Sequence, residues 1–204
     1  SSGIEFNNEE IKKSLKKNKI NFKYHKDIEN IVSKYILENK TVGWFQGKAE
    51  FGQRALGNRS ILANPATKNI KDIVNATVKY RESYRPFAPS CLKEDAEKFF
   101  KFNKNINPYY MQYAVEATSM AKKLIPSVVH EDNTSRIQIV LREKNKRYHE
   151  LLKQLKEKSG VGIVLNTSFN LKGEPIVNTP EDAIRTFFSS GLDILCLGNF
   201  IIEK

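Results

Sequence analysis

A run of apolar residues in the last quarter of the chain constrains the fold more than any other feature of the sequence. Residues 161–165 (Val-Gly-Ile-Val-Leu) are apolar without interruption, and the polar sequence Asn-Thr-Ser-Phe-Asn follows at 166–170. An uninterrupted apolar run is typical of a strand buried on both faces of a sheet. Ligands of open α/β sheets collect beyond the carboxyl ends of such strands, so the polar side chains of 166–170 are candidate ligand contacts.

The periodicity of the remaining sequence predicts helices and strands in irregular alternation. Helical spacing covers 9–19, 27–36, 68–79, 93–100, 147–158 and 179–190, and strand patterns cover 21–24, 41–45, 109–115, 136–141, 193–197 and 200–202. Because some of these strands are adjacent in sequence, we expect a mixed sheet with helices packed on it, α/β or α+β, rather than a doubly wound fold. A chain of 204 residues is long enough for one large domain.

The chain is basic, and its charge alone leaves several kinds of partner open. It has 34 Lys and Arg residues against 23 Asp and Glu residues, a formal net charge of +11. Such an excess indicates nucleic acid, an anionic surface or a phosphorylated ligand as the partner. The lysine runs fall on predicted helix faces, where solvation accounts for them, so nucleic acid is not the expected partner.

The sequence does not favour a membrane, disulfide-rich or metal-binding protein. Residues 1–6 lack the basic start and apolar core of a signal peptide, and no apolar run is long enough to span a membrane, so we expect a cytoplasmic protein. Cys91 and Cys196 lie far apart beside apolar residues, which predicts buried thiols in a reducing compartment. The histidines are scattered without zinc-site spacing, and we expect His130 to be a structural hydrogen-bonding group rather than a base.

A glycine-rich, cationic loop follows the strand predicted at 41–45. Residues 43–60 hold four glycines together with Lys48, Arg54 and Arg59. Glycine allows a ligand to approach the backbone, and arginine binds phosphate or carboxylate through two parallel hydrogen bonds. The loop matches neither the P-loop nor the dinucleotide-binding glycine motif. It is therefore either an anion-binding loop of another kind or a surface hairpin with solvated charges.

Two further segments carry cations in positions that could serve the same site. Lys79, Arg81 and Arg85 lie within seven residues at the end of a predicted helix, and two prolines then hold the backbone extended. They form either a second arm of an anion site or a basic helix C-terminus that complements the helix dipole. Arg136 opens a predicted strand and shares a face with Gln138, and this polar pair is either solvated or directed into a pocket.

Taken together, four motifs resemble the C-terminal domain of the O-carbamoyltransferases, a family that includes the nodulation-factor, cephamycin and tobramycin enzymes. The motifs are GKAEFGQRALGNRSIL (47–62), NATVKYRESYRPFAPS (75–90), HEDNTSRIQ (130–138) and VLNTSFNLKGEPIVNTPEDAI (164–184). The resemblance implies a single domain over 1–204 with a YrdC/Sua5-like fold, a twisted mixed sheet with flanking helices and a concave, positively charged cavity. The family's N-terminal Kae1-like domain, which holds a metal and performs carbamoyl transfer, is absent from this chain.

The resemblance also implies a reaction and the residues that serve it. ATP, accompanied by Mg²⁺, and carbamoyl phosphate would give carbamoyl-adenylate, pyrophosphate and phosphate, and the N-terminal domain would pass the carbamoyl group to a hydroxyl acceptor. By resemblance, Arg54 and the catalytic residues Lys79, Arg85 and Arg136 hold the phosphates. Asn166 and Ser168 complete the cavity, Met111 contacts the adenine side, and Arg59 and Arg81 are further candidates. Tyr80 stands where many relatives have a basic residue.

Two alternatives belong to other functional classes. One is a basic YrdC-like module that binds RNA or a nucleotide without catalysing a reaction by itself. The other is a domain that binds its substrates but turns them over only with its N-terminal partner. A steep loss of binding with rising salt would distinguish RNA, which contacts many phosphates, from a single ATP.

Overall fold

The computed structural model describes residues 3–82, 84–103 and 105–204, and within them eleven strands form two sheets. The strands are β1 (Lys23–Tyr24), β2 (Val42–Phe45), β3 (Arg59–Ala63), β4 (Ala88–Cys91), β5 (Phe100–Lys101), β6 (Ala114–Ala117), β7 (Thr134–Arg136), β8 (Gln138–Ile139), β9 (Ile163–Ser168), β10 (Ile194–Leu197) and β11 (Phe200–Glu203). The main sheet has the order β1-β11-β10-β2-β3-β9-β4-β8, and the small sheet has the order β5-β6-β7.

The main sheet is mixed, as the sequence predicted. The pairs β10–β2 and β4–β8 are parallel, and the other neighbours in the sheet are antiparallel. A doubly wound fold would instead require a mostly parallel sheet. The predicted central strand is β9, which lies between β3 and β4.

Helices pack on the sheet and bury both of its faces. They are α1 (Asn8–Lys17), α2 (Ile28–Leu37), α3 (Ile70–Val74), α4 (Lys93–Phe99), α5 (Ser119–Leu124), α6 (Lys146–Ser159) and α7 (Pro180–Phe188). Val164 joins the apolar cluster formed with α2 and α6, whereas its neighbours Ile163 and Leu165 join the cluster that includes residues of α1, α3, α4, α5 and α7. Both faces of β9 are therefore apolar, which explains why its sequence does not alternate.

Three predicted elements differ from the structure, each for a local reason. The strand expected at 109–115 begins only at Ala114, because Met111 has a left-handed backbone with φ of 57° that cannot continue an extended strand. The helix expected at 68–79 is α3 followed by a π-helical turn, Asn75–Lys79. The strand expected at 136–141 is divided between β7 of the small sheet and β8 of the main sheet.

The sequence patterns also left β5 of the small sheet and two strands of the main sheet unpredicted. β3 and β4 lie next to β9 in the sheet, yet both fall in segments that the glycines and prolines identify as loops. Long-range pairing with β9 supplies the backbone hydrogen bonds that local propensity does not indicate. Cys91 and Cys196 are fully buried free thiols, as predicted.

Candidate functional site

One cavity at the carboxyl end of β9 brings together six of the nine candidate residues. We call it the arginine cavity; its volume is about 130 Å³, and it is lined by Arg54, Arg81, Met111, Arg136, Asn166 and Ser168 together with Gln53, Ala55, Thr167 and residues 86–88. These residues come from five separate segments of the chain. The three-dimensional fold therefore joins the glycine-rich loop, the basic segment after α3 and the polar end of β9, as the anion-site interpretation of each segment requires.

Three arginines face a cavity that has no acidic side chain among its described lining residues. The pKa of Arg136 is lowered, first by partial burial and then by the neighbouring charge of Arg54. The pKa of Arg81 is lowered by burial and by the charge of Arg85, with Glu82 acting in the opposite sense. A bound anion would relieve mutual repulsion of this kind.

Lys79 lies beside this cavity and is held by neutral oxygens. Its side chain is 6% exposed. Its Nζ lies 2.6 Å from the carbonyl oxygen of Ser168, 3.2 Å from Ser168 Oγ, 3.1 Å from the carbonyl oxygen of Asn170 and 2.8 Å from Asn170 Oδ1. Burial, and after it the charge of Arg81, lowers the pKa of Lys79 to about 7. The ammonium and neutral amine forms are therefore both populated near neutral pH.

The π-helical turn at Asn75–Lys79 positions Lys79 and Arg81. It ends at Tyr80, which has a left-handed backbone with φ of 45° and ψ of 50°. Immediately after it, Arg81 Nε donates to Asn75 Oδ1 at 2.7 Å, and the Arg81 guanidinium lies 4.9 Å from the centre of the Phe87 ring. Single π-helical turns are rare and occur often at functional sites.

A second cavity adjoins the first. We call it the lysine groove; it has a volume of about 250 Å³ and is lined by Lys79, Arg81, Glu82, Arg85, Ser168, Asn170, Leu171, Lys172 and Gly173. Arg81 and Ser168 line both cavities. Arg85 is exposed, and its Nε lies 3.2 Å from Glu82 Oε2. The predicted residues thus divide between two neighbouring cavities, with Arg85 on the solvent side.

Arg59 lies outside both cavities, and two nitrogens of its guanidinium group donate to backbone carbonyl oxygens. The side chain is fully buried, and its Nη1 donates to the carbonyl oxygens of Gln46 at 2.7 Å and Gly47 at 3.1 Å. The guanidinium carbon lies 3.6 Å from the centre of the Phe45 ring. Burial lowers the pKa of Arg59 to about 10, against the opposing charges of Glu50 and Glu5. We assign Arg59 the role of holding the glycine-rich loop.

Glu50 organises the same loop, although no sequence pattern selected it as a site residue. Its Oε1 accepts hydrogen bonds from the backbone nitrogens of Leu56 and Asn58, each at 2.7 Å, and its Oε2 accepts from the backbone nitrogen of Arg59 at 3.1 Å. The Glu50 carboxylate therefore accepts hydrogen bonds from backbone N–H groups that would be paired with a neighbouring strand if this segment lay in a sheet. The loop that carries Arg54 is ordered by these bonds.

Asn166 is a buried residue of the arginine cavity lining, and hydrogen bonds orient its amide. Its Nδ2 donates to the carbonyl oxygen of Ala55 at 3.1 Å and to Ser90 Oγ at 2.9 Å. Ser90 Oγ in turn donates to Gln138 Oε1 at 2.6 Å, and Gln138 Nε2 donates to the carbonyl oxygen of Leu56 at 2.9 Å. Gln138 is therefore buried and hydrogen-bonded within the network that holds Asn166, and it is not exposed to solvent beside Arg136.

The sequence analysis included Thr167 and Asn170 only within the polar run 166–170, without the contact between Asn170 and Lys79, and it did not select Gln53, which lines the arginine cavity. The position of Asn170 two residues after Ser168 was the available signal, since its Oδ1 also accepts from Ser168 Oγ at 2.7 Å.

His130 Nδ1 lies 3.3 Å from Thr134 Oγ1, and burial lowers the pKa of this histidine. His130 is not one of the described residues that line the arginine cavity or the lysine groove.

Comparison of the fold with solved structures defines its class. Full-length HypF in its phosphate- and nucleotide-bound form matches 90% of this chain over 23% of its own length, with a TM-score of 0.60 and 17% identity. A variant of P. abyssi Sua5 matches 83% of this chain over 50% of its own length, with a TM-score of 0.53 and 14% identity. The fold is that of a YrdC-like domain, a twisted mixed sheet with flanking helices, as the resemblance implied.

Sequence comparison gives the family. The carbamoyltransferase C-terminus family matches residues 33–204, and the chain belongs to it. It is 44% identical to the nodulation protein NolNO of Sinorhizobium fredii over 179 residues, 87% of this chain and 26% of that protein. It is 36% identical to the 3'-hydroxymethylcephem-O-carbamoyltransferase of Amycolatopsis lactamdurans over 160 residues, 78% of this chain and 30% of that enzyme. The chain thus spans about a quarter to a third of the length of these relatives.

The described residues contain neither a candidate membrane-spanning helix nor a candidate metal site. None of the helices in the described ranges combines the length and apolarity needed to cross a bilayer. No group of three or more His, Cys, Asp or Glu side chains in the same ranges is arranged to hold a metal ion.

Proposed function

We propose that this domain binds Mg-ATP and carbamoyl phosphate in the arginine cavity and the lysine groove and forms carbamoyl-adenylate. The observation that carries the proposal is the convergence of Arg54, Arg81 and Arg136 on one cavity at the polar end of β9. Family membership supports a transferase acting on carbamoyl groups. The phosphate and nucleotide named for the HypF structure, which shares the fold, support ligands of the same chemical class.

The proposed reaction requires positioned charge more than covalent chemistry from the protein. Water cleaves carbamoyl phosphate to carbamate and phosphate, and a carbamate oxygen then attacks the α-phosphorus of ATP. The bond from that phosphorus to the oxygen bridging to the β-phosphate breaks, and pyrophosphate leaves with the electron pair. Fixed arginines can stabilise the negative charge that grows on the leaving group and hold the reactants in line.

The position of each residue would determine which part of the substrates it binds. Arg54, Arg81 and Arg136 would hold phosphate oxygens inside the arginine cavity, and Lys79 and Arg85 would hold the part of the triphosphate that extends into the lysine groove. Met111, at 5% exposure in the cavity wall, is an apolar surface suited to the nucleobase. Mg²⁺ would arrive bound to the phosphates of ATP and would neutralise part of their charge. A hydroxyl acceptor would be served by an N-terminal partner domain.

Pyrophosphate release tests this proposal directly. The chain is incubated with Mg-ATP, with and without carbamoyl phosphate, and release that requires carbamoyl phosphate is expected. Arg136→Gln should reduce the rate by about 100-fold or more, the usual cost of a lost oxyanion donor. The matched control is Arg142→Gln, an exposed arginine outside both cavities, which should retain the wild-type rate.

A binding measurement covers the case in which turnover needs the partner domain. A non-hydrolysable ATP analogue should bind the isolated chain in the presence of Mg²⁺, and Arg136→Gln should weaken that binding. Absence of both release and analogue binding would overturn the proposal. Binding of RNA with a steep inverse dependence on salt, in place of ATP binding, would favour the nucleic-acid alternative.

A further inference from the structure

The glycine-rich loop exposes an aromatic side chain to solvent. Phe51 is 93% exposed, more than any other large apolar residue that the structure describes. A phenylalanine in this position leaves nearly all of its apolar surface in water, where it contributes nothing to packing. The next residue, Gly52, has φ of 109°, and an added Cβ would have no neighbour within 4 Å. The loop around Phe51 is therefore uncrowded, and the ring has space to take another position.

A third cavity beside this loop is lined largely by apolar side chains. We call it the aromatic cavity; its volume is about 430 Å³. Its apolar lining includes Phe51, Leu56, Tyr109, Tyr110, Ile139 and Leu141. Tyr110 is 54% exposed, so this cavity, like the Phe51 ring, keeps apolar surface in contact with water. Packing of Phe51 against the other apolar side chains would remove surface from water on both sides of the contact.

The loop is held on both sides of residues 51–54 but not within them. On one side, the backbone nitrogen of Ala49 donates to the carbonyl oxygen of Ile4 at 3.1 Å. On the other side, the carbonyl oxygen of Ala55 accepts from Asn166 Nδ2 at 3.1 Å. Residues 51–54 are all exposed, and none of them makes a hydrogen bond or an ion pair with another residue that the structure describes. A segment with so few contacts between two fixed points can move without disturbing the rest of the fold.

The same two segments line the aromatic cavity and the arginine cavity. Residues 51–54 contribute Phe51 to the first cavity and Arg54 to the second, and residues 109–111 line both. Movement of residues 51–54 towards residues 109–111 would therefore narrow both cavities together. The charge of Arg54 already lowers the pKa of Arg136, and a bound anion would remove this repulsion between the two arginines.

We propose that residues 51–54 form a lid that closes over the arginine cavity when an anion binds there, with Phe51 packing into the aromatic cavity. The anion supplies the free-energy difference between the open and closed states, because Arg54 contacts it fully only when the lid is closed. Packing of Phe51 stabilises the closed state further, and the closed lid shields the bound substrates from water. This inference rests on the proposed function only in requiring an anion in the arginine cavity.

A tryptophan in place of Phe51 reports the closure. The one natural tryptophan, Trp44, is fully buried, so the solvent-accessible fluorescence of Phe51→Trp comes from the loop. Quenching by acrylamide is measured without ligand, with Mg²⁺ and a non-hydrolysable ATP analogue, and with inorganic pyrophosphate. Acrylamide is neutral, whereas an anionic quencher would itself be attracted to the arginines. At saturating ligand the quenching constant should fall towards the value that the wild-type chain gives with Trp44 alone.

Affinities measured by calorimetry show whether the Phe51 ring contributes to closure. Phe51→Ser should weaken the binding of both probes about tenfold, because the closed state loses the burial of one aromatic side chain. Tyr110→Ser should have a similar effect, and the double variant should bind much as either single variant does, because both changes remove the same contact.

The matched control for Phe51→Ser is Phe188→Ser. Phe188 is a half-exposed phenylalanine at the end of α7, and it is not among the described residues that line the three cavities. Its substitution should leave both affinities within about twofold of wild type, as expected of an exposed position. Equal affinities of the Phe51→Ser and Phe188→Ser variants would overturn the packing of Phe51 in the closed state.

The outcomes separate this inference from the proposed function. Binding of the ATP analogue with unchanged quenching of Phe51→Trp would overturn the lid and leave the proposed function standing. Reduced quenching with pyrophosphate, in a chain that neither binds the ATP analogue nor forms pyrophosphate from ATP, would support the lid and overturn the proposed function. Failure of both probes to bind would overturn both.

Discussion

Lys79 Nζ lies 2.6 Å from the carbonyl oxygen of Ser168, so a cation from the π-helical turn is held against the last residue of the central strand. The other acceptors of Lys79 are the side-chain hydroxyl of Ser168 and two oxygens of Asn170. All four are neutral, and the buried ammonium therefore lacks a counter-ion among its hydrogen-bond partners. An anionic ligand in the lysine groove would supply one, which makes the protonation of Lys79 sensitive to ligand binding.

We expect the chain to take up a proton when it binds a nucleotide above neutral pH. The pKa of Lys79 in the free protein is about 7, so at pH 8 most molecules carry the neutral amine. A bound triphosphate favours the ammonium form and raises this pKa, and protons must then be drawn from solution. Calorimetric titration of the ATP analogue at pH 8, in two buffers of different ionisation enthalpy, measures the uptake; we expect between about half a proton and one proton per ligand.

The control for proton uptake uses another lysine of the same groove. Lys79→Met should abolish the uptake, whereas Lys172→Met, at an exposed position that lines the groove, should retain it. Binding by the wild-type chain without proton uptake at pH 8 would show that the ligand does not approach Lys79.

Arg54→Gln should weaken ligand binding without weakening the fold. Arg54 is exposed, and its charge contributes to lowering the pKa of the neighbouring Arg136. Removing one of two repelling charges should leave the free energy of unfolding unchanged or raise it by about 0.3 kcal/mol, as for other exposed pairs. Affinity for the ATP analogue should fall at least about tenfold, since a charged phosphate contact is lost. Urea denaturation and calorimetry give the two quantities.

Arg142→Gln is the matched control for Arg54→Gln, because it also removes an exposed positive charge but lies outside both cavities. Its affinity for the analogue should stay within about twofold of wild type, as expected where exposed charges are screened by salt. An Arg54→Gln variant that unfolds more easily and binds normally would place Arg54 among the structural residues instead.

Arg59→Met should have the opposite effect, a loss of stability. The substitution removes donors from the carbonyl oxygens of Gln46 and Gly47 and ends the contact with the Phe45 ring. Leaving buried carbonyl groups unpaired should lower the free energy of unfolding by about 3 kcal/mol. The measurement is urea denaturation, with Arg142→Met as the exposed control. Equal stability of the two variants would contradict the structural role of Arg59.

Two glycines of the same loop allow steric crowding to be separated from backbone strain. Gly52 and Gly57 have similar left-handed backbones, with φ of 109° and 105°, but an added Cβ at Gly57 would lie 2.0 Å from Tyr148 Cδ1, whereas at Gly52 it would have no neighbour within 4 Å. Gly52→Ala should cost about 1–2 kcal/mol from the backbone alone. Gly57→Ala should cost about 2 kcal/mol more, because the buried Tyr148 ring must move. Denaturation curves that coincide for the two variants would argue against this close packing.

The sequence by itself determined the mixed sheet, its central strand, the long helices and the family. Each of these depends on a local pattern: an apolar run for β9, apolar periodicity for α2 and α6, and short motifs that lie in order along the chain. Local patterns also identified the cations and the polar end of β9 as candidates for an anion site. The strands β3 and β4 were not predicted, because their stability comes from pairing with β9 and not from their own sequence.

Only the tertiary structure decided where each candidate lies and what it contacts. Arg54 and Arg59 are five residues apart in one loop and look equivalent in sequence, yet Arg54 lines the arginine cavity whereas Arg59 is buried against Phe45 and two backbone carbonyl groups. Likewise, Ala55, Ser90 and Gln138, from three distant segments, fix the orientation of the Asn166 amide. Burial and hydrogen-bond direction arise from residues far apart in the chain, and local sequence does not encode them.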